Sequence, residues 1–311
     1  MRIFNWITKD TNIDFMGARK LTYALSALMM VLAVASMAFK GFNYGIDFSG
    51  GILMEISSDQ VINLDELRNK LGGVDIGEIN LQTIGESGKE VMIRAQASGM
   101  DEKSQMAAIK QIKEIIGSDV QYNKIELVGP QVGDELKKAG IIASVIAVLG
   151  ITLYIWVRFE WQFALGAMLG LVHDLVVTVG LLSAFGMDFS LTTIAAILTL
   201  AGYSVNDTVV TYDRIRENLR KYKSMPQYEL LNKSINDIFS RTLLTGMTTL
   251  LAAIALFIFG GDTLRSFSFT ILWGVIIGTY SSIYVSAVFL NLFNLKATQE
   301  EKVINPFGNV D

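Results

Sequence analysis

Six long apolar runs constrain this chain more than any other feature. They extend over Leu21–Phe39, Gly140–Val157, Phe163–Phe185, Leu191–Tyr212, Thr242–Phe259 and Phe267–Phe293. Each is near or above the ~18–20 residues that cross a hydrocarbon core of ~30 Å. Within hydrocarbon the backbone must satisfy its own hydrogen bonds, and runs of this length do so as helices. The expectation is a polytopic α-helical membrane protein with six transmembrane helices. A composition of 51% hydrophobic and 18% charged residues is displaced in the same direction. The first run ends in small residues, Ala33–Ala38, that resemble a signal-peptidase site. It is nevertheless longer than the usual signal core of about 7–15 residues, so it reads as an anchoring helix.

An even number of spans places both termini on one side. Arg2, Lys9, Arg19 and Lys20 precede the first span, and Arg214, Arg216, Arg220, Lys221, Lys223, Lys233 and Arg241 fill the connection between the fourth and fifth. Basic residues mark the cytoplasmic side. The expected organisation is a cytoplasmic segment 1–20, a first helix 21–39, an extracytoplasmic domain 40–137, helices two to six over 138–293 with a cytoplasmic loop 213–241, and a cytoplasmic tail 294–311. Acidic residues concentrate between positions 47 and 135.

Residues 40–137 contain no spanning run, but apolar and polar residues alternate there as in a folded domain. Ile52–Ser57, Glu78–Ile84, Glu90–Ala95 and Val120–Val128 read as strands, and Leu64–Leu71 and Asp101–Ile116 as helices. The order βαββαβ predicts an extracytoplasmic α+β domain of ferredoxin-like topology. No cysteine is present, so this domain holds together by its core alone.

The sequence has no internal repeat, no GxxxxGK[ST] phosphate loop and no clustered His/Cys spacing. No cofactor or metal is expected, and any work done must draw its energy from outside the chain. The candidate functional residues are the charges inside the spans: His173 and Asp174 in the third, and Asn206, Asp207 and Asp213 in the fourth. An ionised aspartate at the bilayer centre costs roughly 2.5–3.5 kcal/mol on insertion scales, so such residues usually face a bundle interior and often line ion pathways. Burial favours the protonated carboxyl, which suits a proton carrier.

Helical spacing puts Asp207 on a face with Tyr203, Thr211 and Arg214, and Asn206 on a neighbouring face with Gly202 and Asp213. Together they form one broad polar stripe expected to point inward. Asp207 sits roughly 6 Å deeper than Thr211. The side chain of Arg241 spans such a gap if the fourth and fifth helices are neighbours. An Asp207–Arg241 attraction that is lost on protonation would make a switch; the alternative is a static ion pair that fixes register. A His173–Asp174 hydrogen bond serves either a relay or simple satisfaction, and Asp213 reads as an interfacial charge. The hydroxyl-rich runs Thr245–Thr249 and Gly278–Tyr284 read chiefly as helix-packing surfaces, or as holders of water if they face Asp207.

Several motifs together resemble a known family: GIDFSGG (Gly45–Gly51), LVGPQVGDEL (Leu127–Leu136), VHD (Val172–Asp174), the long Leu191–Arg220 segment, TGMTTLL (Thr245–Leu251) and GTYSSIY (Gly278–Tyr284). They are similar in kind and order to those of the SecF family of bacterial protein-export subunits, across nearly the whole chain. The resemblance implies half of an RND-type transporter and an inner-membrane location. The partners it implies are SecD, the SecYEG channel, YajC, a translocating preprotein and membrane lipid, with no nucleic acid. It also implies use of a proton or sodium gradient, with Asp207 as coupling carboxylate and Arg241 as its partner, and no enzymatic activity. Other readings are an RND-type exporter of small molecules or lipids, an intramembrane aspartyl protease using Asp174 and Asp207, and a passive scaffold. The protease reading is weak because GYSVND lacks a GxGD pattern.

Overall fold

The computed structural model describes residues 11–73, 79–84, 87–95, 102–117 and 119–295. Helix α1 (Arg19–Lys40) leads to a two-residue strand β1 (Asn43–Tyr44) and a single turn α2 (Ile46–Ser49). The domain that follows comprises β2 (Gly51–Ser57), α3 (Leu64–Leu71), β3 (Ile79–Ile84), β4 (Glu90–Ala95), α4 (Glu102–Ile116) and β5 (Gln121–Val128). Helices α5 (Pro130–Arg158) and α6 (Trp161–Phe185), strand β6 (Asp188–Phe189), α7 (Leu191–Lys221), α8 (Gln227–Phe259) and α9 (Gly261–Ser281) follow. A π-helical turn, Ser282–Ala287, and a 3-10 turn, Leu290–Leu292, continue α9. Among the described residues six helices are long and apolar enough to cross a membrane: Arg19–Lys40, Gln131–Arg158, Trp161–Phe185, Leu191–Lys221, Gln227–Phe259 and Leu264–Leu292.

The domain between α1 and α5 is a four-stranded antiparallel sheet in the order β3-β4-β2-β5. Alternation in β2 sends Ile52, Met54 and Ile56 to one face, opposite Ala95, Ile93 and Val91 of β4. There they meet Leu67 and Leu71 of α3 and Ala108 and Ile112 of α4 in one apolar core. Asn63 starts α3 by accepting hydrogen bonds from the N–H groups of Asp65 and Glu66. The expected elements are found with nearly the expected bounds; residues 78 and 101, which open two of them, lie outside the described residues.

Two expected boundaries shift. Residues 130–137, assigned above to the external domain, form the first two turns of α5, because Pro130 sits at a helix N-terminus, where its missing N–H leaves no bond unmade. The cytoplasmic connection expected over 213–241 shrinks to residues 222–226, since α7 and α8 run on well past their apolar runs. Their extensions are amphipathic: Ile215 and Leu219 pack in one buried cluster with Leu230, Leu231 and Ile235. The segment before α1 docks on the same extension. Asn232 accepts the N–H of Phe15 at 2.8 Å, and Asn236 accepts that of Ile13 and donates to its carbonyl, both at 2.9 Å.

Candidate functional site

Asp207 lies midway along α7, buried, where α8 and α9 pack against that helix. Its carboxylate accepts from Thr242 Oγ1 at 2.9 Å and from Ser282 Oγ at 2.5 Å, the short distance typical of a hydroxyl on a charged acceptor. Thr211, also buried, donates its hydroxyl back to the Asp207 carbonyl oxygen rather than to the carboxylate.

Arg241 is not one of these partners. The fourth and fifth spanning helices are indeed neighbours, but successive residues of a helix point about 100° apart. Thr242 faces Asp207, so Arg241 points outward and is exposed. Among the described residues no ion pair joins the two. The static ion pair weighed from the sequence is therefore absent from this conformation.

One turn toward the α7 N-terminus lies a second buried carboxylate. Asp174 is fully buried on α6; its Oδ1 lies 3.0 Å from His173 Nδ1, and its Oδ2 accepts from Ser204 of α7 at 2.5 Å and from Ser281 of α9 at 2.6 Å. Gly278 of α9 borders this site: a Cβ there would lie in ordinary van der Waals contact with Ser204 and Asp174. Ser281 and Ser282 are thus consecutive hydroxyls that reach two carboxylates on two different helices, at the point where α9 passes into its π-helical turn.

The broad polar stripe divides. Asp207, Ser204, Thr208 and Thr211 face inward, whereas Gly202, Asn206 and Asp213 are exposed on the opposite side of α7, since 100° of rotation separates Asn206 from Asp207. Asp213 pairs with Arg158 at 3.2 Å, with both side chains about half exposed. Arg214 bonds to Asp237 of α8 at 2.8 Å. Thr248 and Thr249 donate to the carbonyl of Thr245 within their own helix. Ser204, Thr242 and the side-chain roles of Ser281 and Ser282 escaped the sequence reading; the signal was present only as hydroxyls at helical spacing, which packing surfaces share.

The domain between α1 and α5 is fastened to the loop ahead of α7. Strand β1 pairs with β6, and Arg94 of β4 holds Asp188 by two bonds, 2.7 and 3.1 Å long. Asp47, in the GIDFSGG motif, accepts the N–H of Leu191 at 2.9 Å and so caps α7 with negative charge. The two glycines closing that motif have φ of +67° and +131°, which other residues rarely adopt, and Gly133 of α5 packs against the Gly50 backbone. Among the described residues no group of three or more His, Cys, Asp or Glu side chains is arranged to hold a metal ion.

Comparison with known proteins places these features. Residues 108–296 match the family model of the protein export membrane protein SecD/SecF, C-terminal region, and residues 35–60 match the SecD/SecF GG motif. The chain is 46% identical over 286 residues to the protein translocase subunit SecF of Rickettsia felis, covering 91% of this chain and 92% of that one. It is 40% identical over 314 residues to the SecF subunit of Cereibacter sphaeroides, covering 97% of each. The fold superposes on SecDF, a translocon-associated membrane protein of Thermus thermophilus, with a TM-score of 0.81 at 34% identity. That match covers 91% of this chain but only 39% of the longer SecDF chain. The chain belongs to the SecD/SecF family of protein-export membrane proteins.

Proposed function

We propose that this chain is an accessory subunit of the Sec protein translocase that, together with SecD, couples an ion gradient across the cytoplasmic membrane to late steps of preprotein translocation. Support for the export role comes from relatives named as SecF translocase subunits over nine-tenths of the chain; none of those named above is an exporter of small molecules or lipids. Support for SecD as partner comes from the SecDF chain, of which this chain matches about two fifths. The SecYEG channel, YajC and the preprotein follow from the same reading. So do an inner-membrane location, cytoplasmic termini and an extracytoplasmic position for the domain between α1 and α5. The strand order β3-β4-β2-β5 with two helices supports a ferredoxin-like reading of that domain.

The observation that carries the coupling is the setting of Asp207. A carboxylate buried among the hydroxyls of Thr242 and Ser282, with no cation in contact among the described residues, is poised to exchange its charge for a proton or to bind a sodium ion. Arg241, one residue from Thr242, is placed to swing toward an ionised Asp207 by rotation of α8, so the switch becomes a movement between two arrangements. The test is preprotein export by inverted vesicles under a proton gradient alone and under a sodium gradient alone. Asp207→Asn is expected to abolish gradient-driven stimulation while assembly with SecD persists. Stimulation equal to that of the unaltered chain would remove Asp207 from the role and leave a scaffold.

A further inference from the structure

The lone histidine of the chain has an unusual position. His173 is buried, and its Nδ1 faces Asp174, whereas its Nε2 is buried with no hydrogen-bond partner among the described residues. A neutral imidazole donates from one nitrogen and accepts at the other. The carboxylate at Nδ1 selects the tautomer that carries its hydrogen there, which leaves a bare lone pair on Nε2. Buried polar atoms are nearly always satisfied, and the exceptions ask for a role. A lone pair aimed into a protein interior beside a carboxylate that would neutralise the resulting cation is a place to load a proton.

The second observation is the join to Asp207. Oδ2 of Asp174 is gripped by Ser204, three residues before Asp207 on α7, and by Ser281, whose neighbour Ser282 holds Asp207. The π-helical turn starts at Ser282. Such turns carry one extra residue per hydrogen-bonded ring and concentrate at functional sites, where they change the phase of a helix at a chosen point. A shift of that phase moves both serines at once, so the hydrogen bonding of one carboxylate is tied to that of the other.

We propose that His173 and Asp174 form a second proton-binding site, loaded at His173 Nε2 and linked to Asp207 through Ser281 and Ser282. The inference rests on the reading of Asp207 as the coupling carboxylate. In loading, a hydronium ion gives up one O–H bond as one N–H bond forms at Nε2, leaving a water molecule; the imidazolium is paired with the Asp174 carboxylate, and release transfers the proton back to a water molecule. No other bond is made or broken. The groups that face the pair are Ser204 of α7 and Ser281 and Tyr280 of α9; Tyr280 is held by Ser26 and the Thr22 carbonyl of α1. No Lys or Arg forms an ion pair with Asp174 among the described residues.

Because the chain has one histidine, labelling that residue with 15N gives a single imidazole to follow by NMR in the full chain in lipid nanodiscs. At high pH the spectrum is expected to show the tautomer with a bare Nε2, converting to imidazolium as the pH falls. Asp207→Asn should displace the midpoint by about one pH unit, as expected of coupled sites. In a Ser282→Ala chain the same substitution should no longer move it. A proton on Nε2 throughout, an imidazole that never titrates, or a midpoint indifferent to both Asp207→Asn and Ser282→Ala would overturn the proposal. The readout is independent of export. Coupled titration with unimpaired gradient-driven export in Asp207→Asn would sink the role of Asp207 alone; lost export with an indifferent imidazole would sink the link alone.

Discussion

The α+β domain between α1 and α5 and the helix bundle are built by opposite rules. In the domain, Ile52, Met54, Ile56, Val91 and Ile93 are inside and charges such as Asp65, Glu66 and Lys70 are outside. In the bundle, Val157 and Phe259 are more than four-fifths exposed, while Asp174, Ser281, Ser282 and Thr211 are fully buried. The difference follows from the solvent. Water expels apolar surface, so the domain folds by burying it; hydrocarbon does not, so bundle helices associate through close packing and interhelical hydrogen bonds. The domain buries few polar side chains, Gln105 and the Asp188-paired Arg94 among them, whereas inside the bundle buried polar residues are the material of the site.

Four substitutions sharpen or break this contrast. The largest effect is expected from Ile93→Ala, which opens a cavity in the domain core and should destabilise it by about 2–5 kcal/mol. Amide exchange of β2 and β4 in the full chain would report it, and unchanged protection would mean that the domain is not held by its apolar core. Leu149→Asp, on an exposed position of α5, should cost about 2.5–3.5 kcal/mol in a membrane-insertion assay; insertion as efficient as before would argue against a lipid-facing α5. Arg94→Ala removes a charged two-bond contact worth about 1.5–3 kcal/mol, and should speed amide exchange around Asp188 and Leu191 where the two regions meet. The smallest effect is expected from Val61→Asp. This position of the domain is as exposed as Leu149 but faces water, so thermal unfolding should shift by no more than about 0.5 kcal/mol. The pair Leu149→Asp and Val61→Asp tests the solvent argument directly.

Contacts across the two regions show how far sequence reading extends. The GIDFSGG motif was visible as a motif, but its attachment was not: Asp47 meets Leu191, and Arg94 meets Asp188, across more than ninety residues of chain. Nothing local in either segment encodes its partner. The same limit explains Arg241 and Thr242. Both stand at the right depth to reach Asp207, and only the rotation of α8 against α7 chooses the threonine.

The sequence by itself determined the six helices, the order of strands and helices in the α+β domain, and the burial of Asp174 and Asp207, because apolar run length and alternation are local properties that the solvent reads directly. Tertiary structure alone decided which groups touch those carboxylates. It turned Asn206 outward, assigned Ser282 and Thr242 to Asp207, and placed Ser281 beside Asp174 with His173 Nε2 left open. Those choices depend on the phase and close approach of helices distant in the chain, which no single segment contains.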